Sequence, residues 1–140
     1  MYEWFKPENH YLLRGPVYYY YLNLLCEKEW MGTRVCTMKT LKTMSIDKLR
    51  QSHQDAWKID NASWHWSFFG DADTVRAKMD AYEHQENNLP QFRDTMEKRI
   101  EAGIDPFGRD YLYKPTVVPI DSSYPDYVQK NQENLARFIK

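Results

Sequence analysis

Apolar positions in this chain follow two rhythms. Val17–Cys26 is dense in β-favouring side chains, with consecutive tyrosines at Tyr18–Tyr21, and Thr33–Leu41 is a second run of the same kind. Glu29–Gly32 lies between them as a turn, so the two runs predict a hairpin. Residues 1–16, with Pro7, Gly15 and Pro16, read as an irregular lead-in. Ser45 caps a predicted short helix through about His53, with Ile46 and Leu49 on its inner face. Asn61–Phe69 is an aromatic-rich strand that Gly70 ends. The rhythm then changes. Ala72, Val75, Met79 and Tyr82 recur at i, i+3, i+7 and i+10, one face of a helix over Asp71–Tyr82 with Asp71 as its N-cap. A further helix starts near Asn88, with Pro90 in its first turn, Leu89, Phe92, Met96 and Ile100 as its apolar face, and Gly103 just past its end. Asp105–Pro115 is a loop and Thr116–Ile120 a short β-branched strand. Ser123-x-x-Asp126 reads as a capping box opening a last helix that buries Val128, Leu135 and Phe138. This order predicts an α/β (or α+β) fold, a partial sheet with flanking helices, in a single domain over residues 17–140.

Composition narrows the functional classes. The chain has 140 residues and a formal net charge of −1, without a Lys/Arg block that would mark a nucleic-acid or membrane footprint. No apolar run approaches the ~18 residues of a membrane span. The N-terminus lacks the basic-then-apolar pattern of a signal peptide, so the expectation is a cytoplasmic protein. Aromatic content is high, with 11 Tyr and 5 Trp; such rings build cores, and they also make rigid platforms for sugars and peptides. Cys26 and Cys36 flank the predicted turn, so a disulfide is geometrically open, but free thiols suit a cytosolic chain. No paired-cysteine spacing points to structural zinc.

Candidate chemistry concentrates in residues 63–86. Strand alternation puts Trp64 and Trp66 on one face and His65 and Ser67 on the other. The helix that follows leads directly to His84 and Glu86, which in a loop can hold one cation or one substrate hydroxyl. Both ends of this unit can therefore face one cleft with aromatic walls and ionisable groups. The plainer readings are a half-buried strand with solvent-facing polar side chains, and a solvated helix end. Asp71-Ala72-Asp73 looks like a cation-binding D-x-D, but at a helix N-terminus aspartates are favoured by capping and by the dipole. Lys39, Lys42, Lys48 and Arg50 could neutralise a diphosphate, although this density of charge is ordinary for a surface.

The ordered series Trp64-His65-Trp66-Ser67, Lys78 and His84-Gln85-Glu86 resembles the W-H-x-S segment, Lys-containing helix and H-x-E segment of glycosyltransferase family 17. That is the family of the bisecting N-acetylglucosaminyltransferase of N-glycans. Tyr20 and Asn23, Trp30-x-Gly32-Thr33, Leu49-Arg50, Gly103-x-Asp105 and Pro125-x-Tyr127…Asn131 extend the likeness over roughly residues 10–138. The chain departs from the family at Ala62-Ser63, where members often carry glycines. The resemblance implies a partial nucleotide-sugar-transferase-like sheet and inverting transfer of N-acetylglucosamine, or a related sugar, from a UDP-sugar to a glycan hydroxyl. It implies Glu86, then Asp105, as the base; Trp64, Trp66, Ser67 and Arg50 as substrate contacts; and His84 and His65 as ligands of a divalent cation, Mn or Mg. The likeness is to the family's second half. The cation-binding acidic motif and nucleotide-binding region of the first half have no counterpart before residue 17. The resemblance therefore implies a glycan or glycoconjugate acceptor and a partner chain carrying the nucleotide-binding half. The alternative is a non-catalytic carbohydrate-binding remnant or subunit.

Overall fold

Tyr20 sets the turn that follows the first described strand. In the computed structural model, which describes residue 6, residues 8–109 and residues 115–140 (27 and 28 as backbone only), strand β1 spans His10–Tyr19. Tyr20 follows with a φ of 60°, a left-handed conformation in which a non-glycine residue is strained. Strand β2 then runs over Leu24–Cys36. The tyrosine run is thus a strand end plus a turn, and the turn expected at Glu29–Gly32 lies inside β2. Gly32 is a seat for an aromatic ring instead: a Cβ there would meet the Trp30 indole at 2.2 Å, and the indole Nε1 donates to Thr33 Oγ1 at 3.1 Å. The expected lead-in is likewise corrected, because β1 begins at His10 and carries Gly15 and Pro16 within it. Gly15 marks a close backbone approach, not a break.

The chain divides into two compact units, and β1 and β2 pass through both. The first unit comprises residues 1–16 and 29–64. There Tyr11, Leu12 and Leu13 pair in parallel with Trp57, Lys58 and Ile59 of strand β3 (Trp57–Ile59). Two short helices follow β2 where the sequence suggested strand and then helix: α1 (Met38–Thr43), capped by the Thr37 hydroxyl, and α2 (Ile46–Gln51), capped by Ser45. Leu49 is buried as expected, whereas Ile46 is 64% exposed. Arg34 closes the end of α2 by donating to the carbonyls of Leu49 at 2.9 Å and Arg50 at 2.8 Å, the groups a helix C-terminus leaves unpaired.

The second unit comprises residues 17–28 and 65–140. Val17, Tyr18 and Tyr19 of β1 pair in parallel with strand β4 (His65–Ser67), shorter than the Asn61–Phe69 the aromatic run suggested. Leu24 and Leu25 of β2 pair antiparallel with strand β5 (Thr116–Val117). Asn23, buried in the turn, is fully used: its amide donates to the carbonyls of Val118 at 3.2 Å and Lys140 at 3.0 Å and accepts from the Lys140 N–H at 2.8 Å.

Helix α3 (Ala72–Asp80) packs against helix α5 (Met96–Ala102). Val75 and Met79 from the first, and Met96 from the second, are each 0% exposed. The single helix expected from Asn88 is split into α4 (Pro90–Arg93) and α5. The carbonyl of Arg93 at the break accepts from Arg76 of α3 through Nε and Nη2, both at 3.1 Å. Gly103 ends α5 at φ 73°, as its place in the sequence predicted. The expected capping box at Ser123 is a correction. Ser123 bonds Asp121, and helix α6 (Asp126–Lys130) starts after Pro125 without a side-chain cap. The α/β class is as expected, with a mixed set of parallel and antiparallel strands. Cys26 and Cys36 are both free. Among the described residues no helix is long and apolar enough to cross a membrane.

Candidate functional site

The second unit assembles its polar groups from strand β4 outward. Pairing with β1 fixes the alternation: the Trp66 ring stacks on Tyr18 at 5.8 Å, with its Nε1 donating to the Leu22 carbonyl at 3.1 Å. Ser67 instead meets Lys78 of α3, whose charge also reaches His65. Immediately after β4 the chain bends through Phe68 at φ 52° and Gly70 at φ 123°. Tyr20 locks this bend: its N–H donates to the Ser67 carbonyl at 3.2 Å, and its carbonyl accepts from Gly70 N–H at 3.3 Å. Tyr20, in a left-handed conformation, is thus held against the bend, the kind of over-determined strain that clusters at functional sites.

Helix α3 begins where the bend releases it. Asp71 Oδ1 accepts from the Thr74 N–H at 2.9 Å and from its hydroxyl at 2.6 Å, so Asp71 opens the helix as a cap, as the sequence suggested, while Asp73 in the first turn pairs with Arg76. The Thr74 hydroxyl and amide hold the Asp71 carboxyl below its usual pKa of 3.8. A group so lowered stabilises the fold above its unfolded pKa and loses that stabilisation as pH falls through the folded value. Asp71→Ala should therefore lower the melting temperature at neutral pH. Thermal scans from pH 7 downward should show the gap from wild type closing in acid; a gap constant with pH would refute the ionised cap.

The direction of α3 returns Lys78 to β4. Its Nζ lies 3.5 Å from Ser67 Oγ and 4.4 Å from the centre of the Phe68 ring. The side chain as a whole is exposed, but its ammonium end loses water against the ring, and this burial lowers its pKa. His65 is pushed down too, first by burial and then by the Lys78 charge.

An aromatic line connects this corner to the His-x-Glu segment. Phe68 meets Phe107 edge-on at 5.5 Å, Phe107 stacks on Tyr82 at 5.4 Å, and Tyr82 contacts His84 at 5.5 Å. His84 Nδ1 and Glu86 Oε1 are 2.9 Å apart on the exposed surface. The loop carrying them is pinned by Gln85, whose amide donates to the carbonyls of Met79 at 3.0 Å and Asp80 at 3.2 Å, closing the end of α3. The segments around Ser67 and Glu86 are thereby joined by continuous contacts. Phe107 and Tyr82 were not singled out as site residues from the sequence. Phe107 comes from a loop with no periodic signal, and Tyr82 looked only like the last core position of a helix.

Asp105 is placed differently from Glu86. It is 1% exposed, and its Oδ1 accepts from the Phe107 N–H at 2.8 Å and the Arg109 N–H at 3.2 Å. The Arg109 guanidinium reaches both carboxylate oxygens, Nε at 3.1 Å and Nη2 at 2.8 Å. Its carbonyl accepts from Arg99 Nε at 2.8 Å and Nη2 at 2.6 Å. These bonds hold the loop that presents Phe107. Burial, and secondarily the Asp105 charge, pushes the Cys26 thiol up to about 12. Trp64, half-buried, and Arg50, exposed on α2, belong to the first unit.

The described residues contain no group of three or more His, Cys, Asp or Glu side chains placed to hold a metal ion. His84 and Glu86 supply a pair of donors, whereas His65 stands beside the Lys78 cation, which opposes a metal there. Comparison with protein-family models, curated proteins and solved structures finds no match.

Proposed function

We propose that this chain is a family-17-like glycosyltransferase domain. In the proposed reaction N-acetylglucosamine, or a related sugar, passes with inversion from a UDP-sugar to a glycan hydroxyl. The observation that carries the reading is the His84–Glu86 pair held at the end of the Phe68–Phe107–Tyr82 aromatic line. The acceptor oxygen attacks the anomeric carbon as the bond to the donor diphosphate breaks. The acceptor proton goes to Glu86, and UDP leaves. Glu86 suits this role because its carboxylate is exposed and is oriented by one bond to His84, leaving capacity to accept another. Asp105, the other candidate, has its oxygens committed to the loop. Trp66 supplies aromatic surface for the acceptor. The nucleotide pocket and any divalent cation come with a partner chain, so the isolated chain should bind glycan and turn over donor weakly.

The test incubates the purified chain with UDP-N-acetylglucosamine and a mannose-terminated glycan, with and without Mn²⁺. Glycan binding with little turnover is expected, and absence of glycan binding overturns the reading. Where turnover is measurable, Glu86→Gln should lower kcat/KM by ~10²-fold or more, the scale of general-base catalysis. Its melting temperature should match wild type, because exposed ion pairs contribute little to stability. Unchanged turnover in Glu86→Gln removes Glu86 as the base.

A further inference from the structure

Several cations of this protein have carboxylate partners. Arg14 pairs with Asp60, Arg76 with Glu97, Arg93 with Asp80, Arg109 with Asp105 and Lys130 with Asp126. Lys78 is dehydrated enough to lower its pKa, yet among the described residues its contacts are a hydroxyl and a phenyl ring, with no carboxylate. An ammonium set against a hydroxyl and a ring face, with no carboxylate beside it, can take an anion as its partner. Beside it the Ser67 hydroxyl, on a buried residue at the strand end, can donate to an anion oxygen while accepting from Lys78. The bend that carries Ser67 and leads into α3 is the one Tyr20 locks.

We infer that Lys78 and Ser67, beside His65, form an oxyanion site for a phosphate-bearing ligand. On the functional reading above, on which the ligand's identity rests, that ligand is the donor's diphosphate. The leaving-group charge then meets a protein cation in this chain, while the partner supplies the pocket for the nucleoside. A protein ammonium holds phosphate as a point charge and needs no metal. Any anion that binds here also stabilises the folded chain by mass action.

Titration calorimetry and thermal shift in EDTA, with inorganic phosphate, pyrophosphate and UDP as probes, test the site. Pyrophosphate and UDP should bind with similar affinity and raise the melting temperature, and phosphate should bind more weakly. Lys78→Met should weaken pyrophosphate at least tenfold and remove its thermal shift while remaining folded. Lys78→Arg should retain binding, and Ser67→Ala should weaken it less than Lys78→Met. No binding of any probe at millimolar concentration overturns the site, as does equal binding by Lys78→Met. UDP binding much tighter than pyrophosphate, and lost in Lys78→Met, supports the site but overturns the missing-pocket part of the functional reading. Pyrophosphate binding without glycan binding keeps the anion site and overturns the transferase reading alone.

Discussion

Gly15→Ala is expected to destabilise the first unit by about 4 kcal/mol or more, the range reserved for severe defects. A Cβ at residue 15 would lie 1.7 Å from the Ser63 carbonyl oxygen, 2.6 Å from its carbon and 2.9 Å from its hydroxyl. These are mainly backbone atoms, so no side-chain rotation relieves the overlap, and the two segments must separate. The same contact is bonded on either side: Ala62 N–H donates to the Arg14 carbonyl at 2.9 Å, and Ser63 Oγ donates to the Leu13 carbonyl at 3.1 Å. Separation therefore removes hydrogen bonds as well as packing, and overpacking alone typically costs about 1–3 kcal/mol. Urea unfolding followed by far-UV circular dichroism gives the measure. A midpoint within error of wild type would show that Ser63 does not lie against Gly15.

Asp105→Ala is expected to cost about 3–5 kcal/mol, the scale for removing one member of a buried ion pair. The substitution strands the N–H groups of Phe107 and Arg109, and takes the counter-charge from the Arg109 guanidinium. Phe107 then loses the loop that aims it at Phe68 and Tyr82, so the aromatic line should loosen as well. Cys26 provides a second readout. Its thiol is buried and pushed up to about 12, so in the native protein it should resist alkylation at neutral pH. In a Cys36→Ser background, iodoacetamide should label Cys26 faster in Asp105→Ala than with Asp105 intact, because local opening exposes it and a charge that raises its pKa is gone. A variant with wild-type stability and slow labelling, but no turnover, would move Asp105 from a loop-holding role to a catalytic one.

What could be read from residues alone was what neighbours in sequence decide. The Asp71 cap, the Val75–Met79 face of α3, Pro90 at the start of α4, the Ser45 cap and the Gly103 end of α5 each depend on hydrogen bonds or spacings within a few residues. The alternation that separates Trp66 from His65 and Ser67 is equally local, since it follows from the pleat of a strand. The first turn was misplaced because Gly15, Pro16 and Gly32 carry the composition of loops. Their meaning is set by distant partners: Ser63 fills the space Gly15 leaves, while Tyr20, a poor turn residue by its side chain, is held at φ 60° by Ser67 and Gly70. The site divides in the same way. His84 and Glu86 were legible as two polar groups just past a helix, whereas the bond between them appears only in the structure. Tertiary packing alone brought Lys78 to Ser67 and Phe68, laid Phe107 between Phe68 and Tyr82, and turned Asp105 inward to Arg109. Such contacts depend on how strand, helix and loop pack together, and no periodicity along a single segment encodes that.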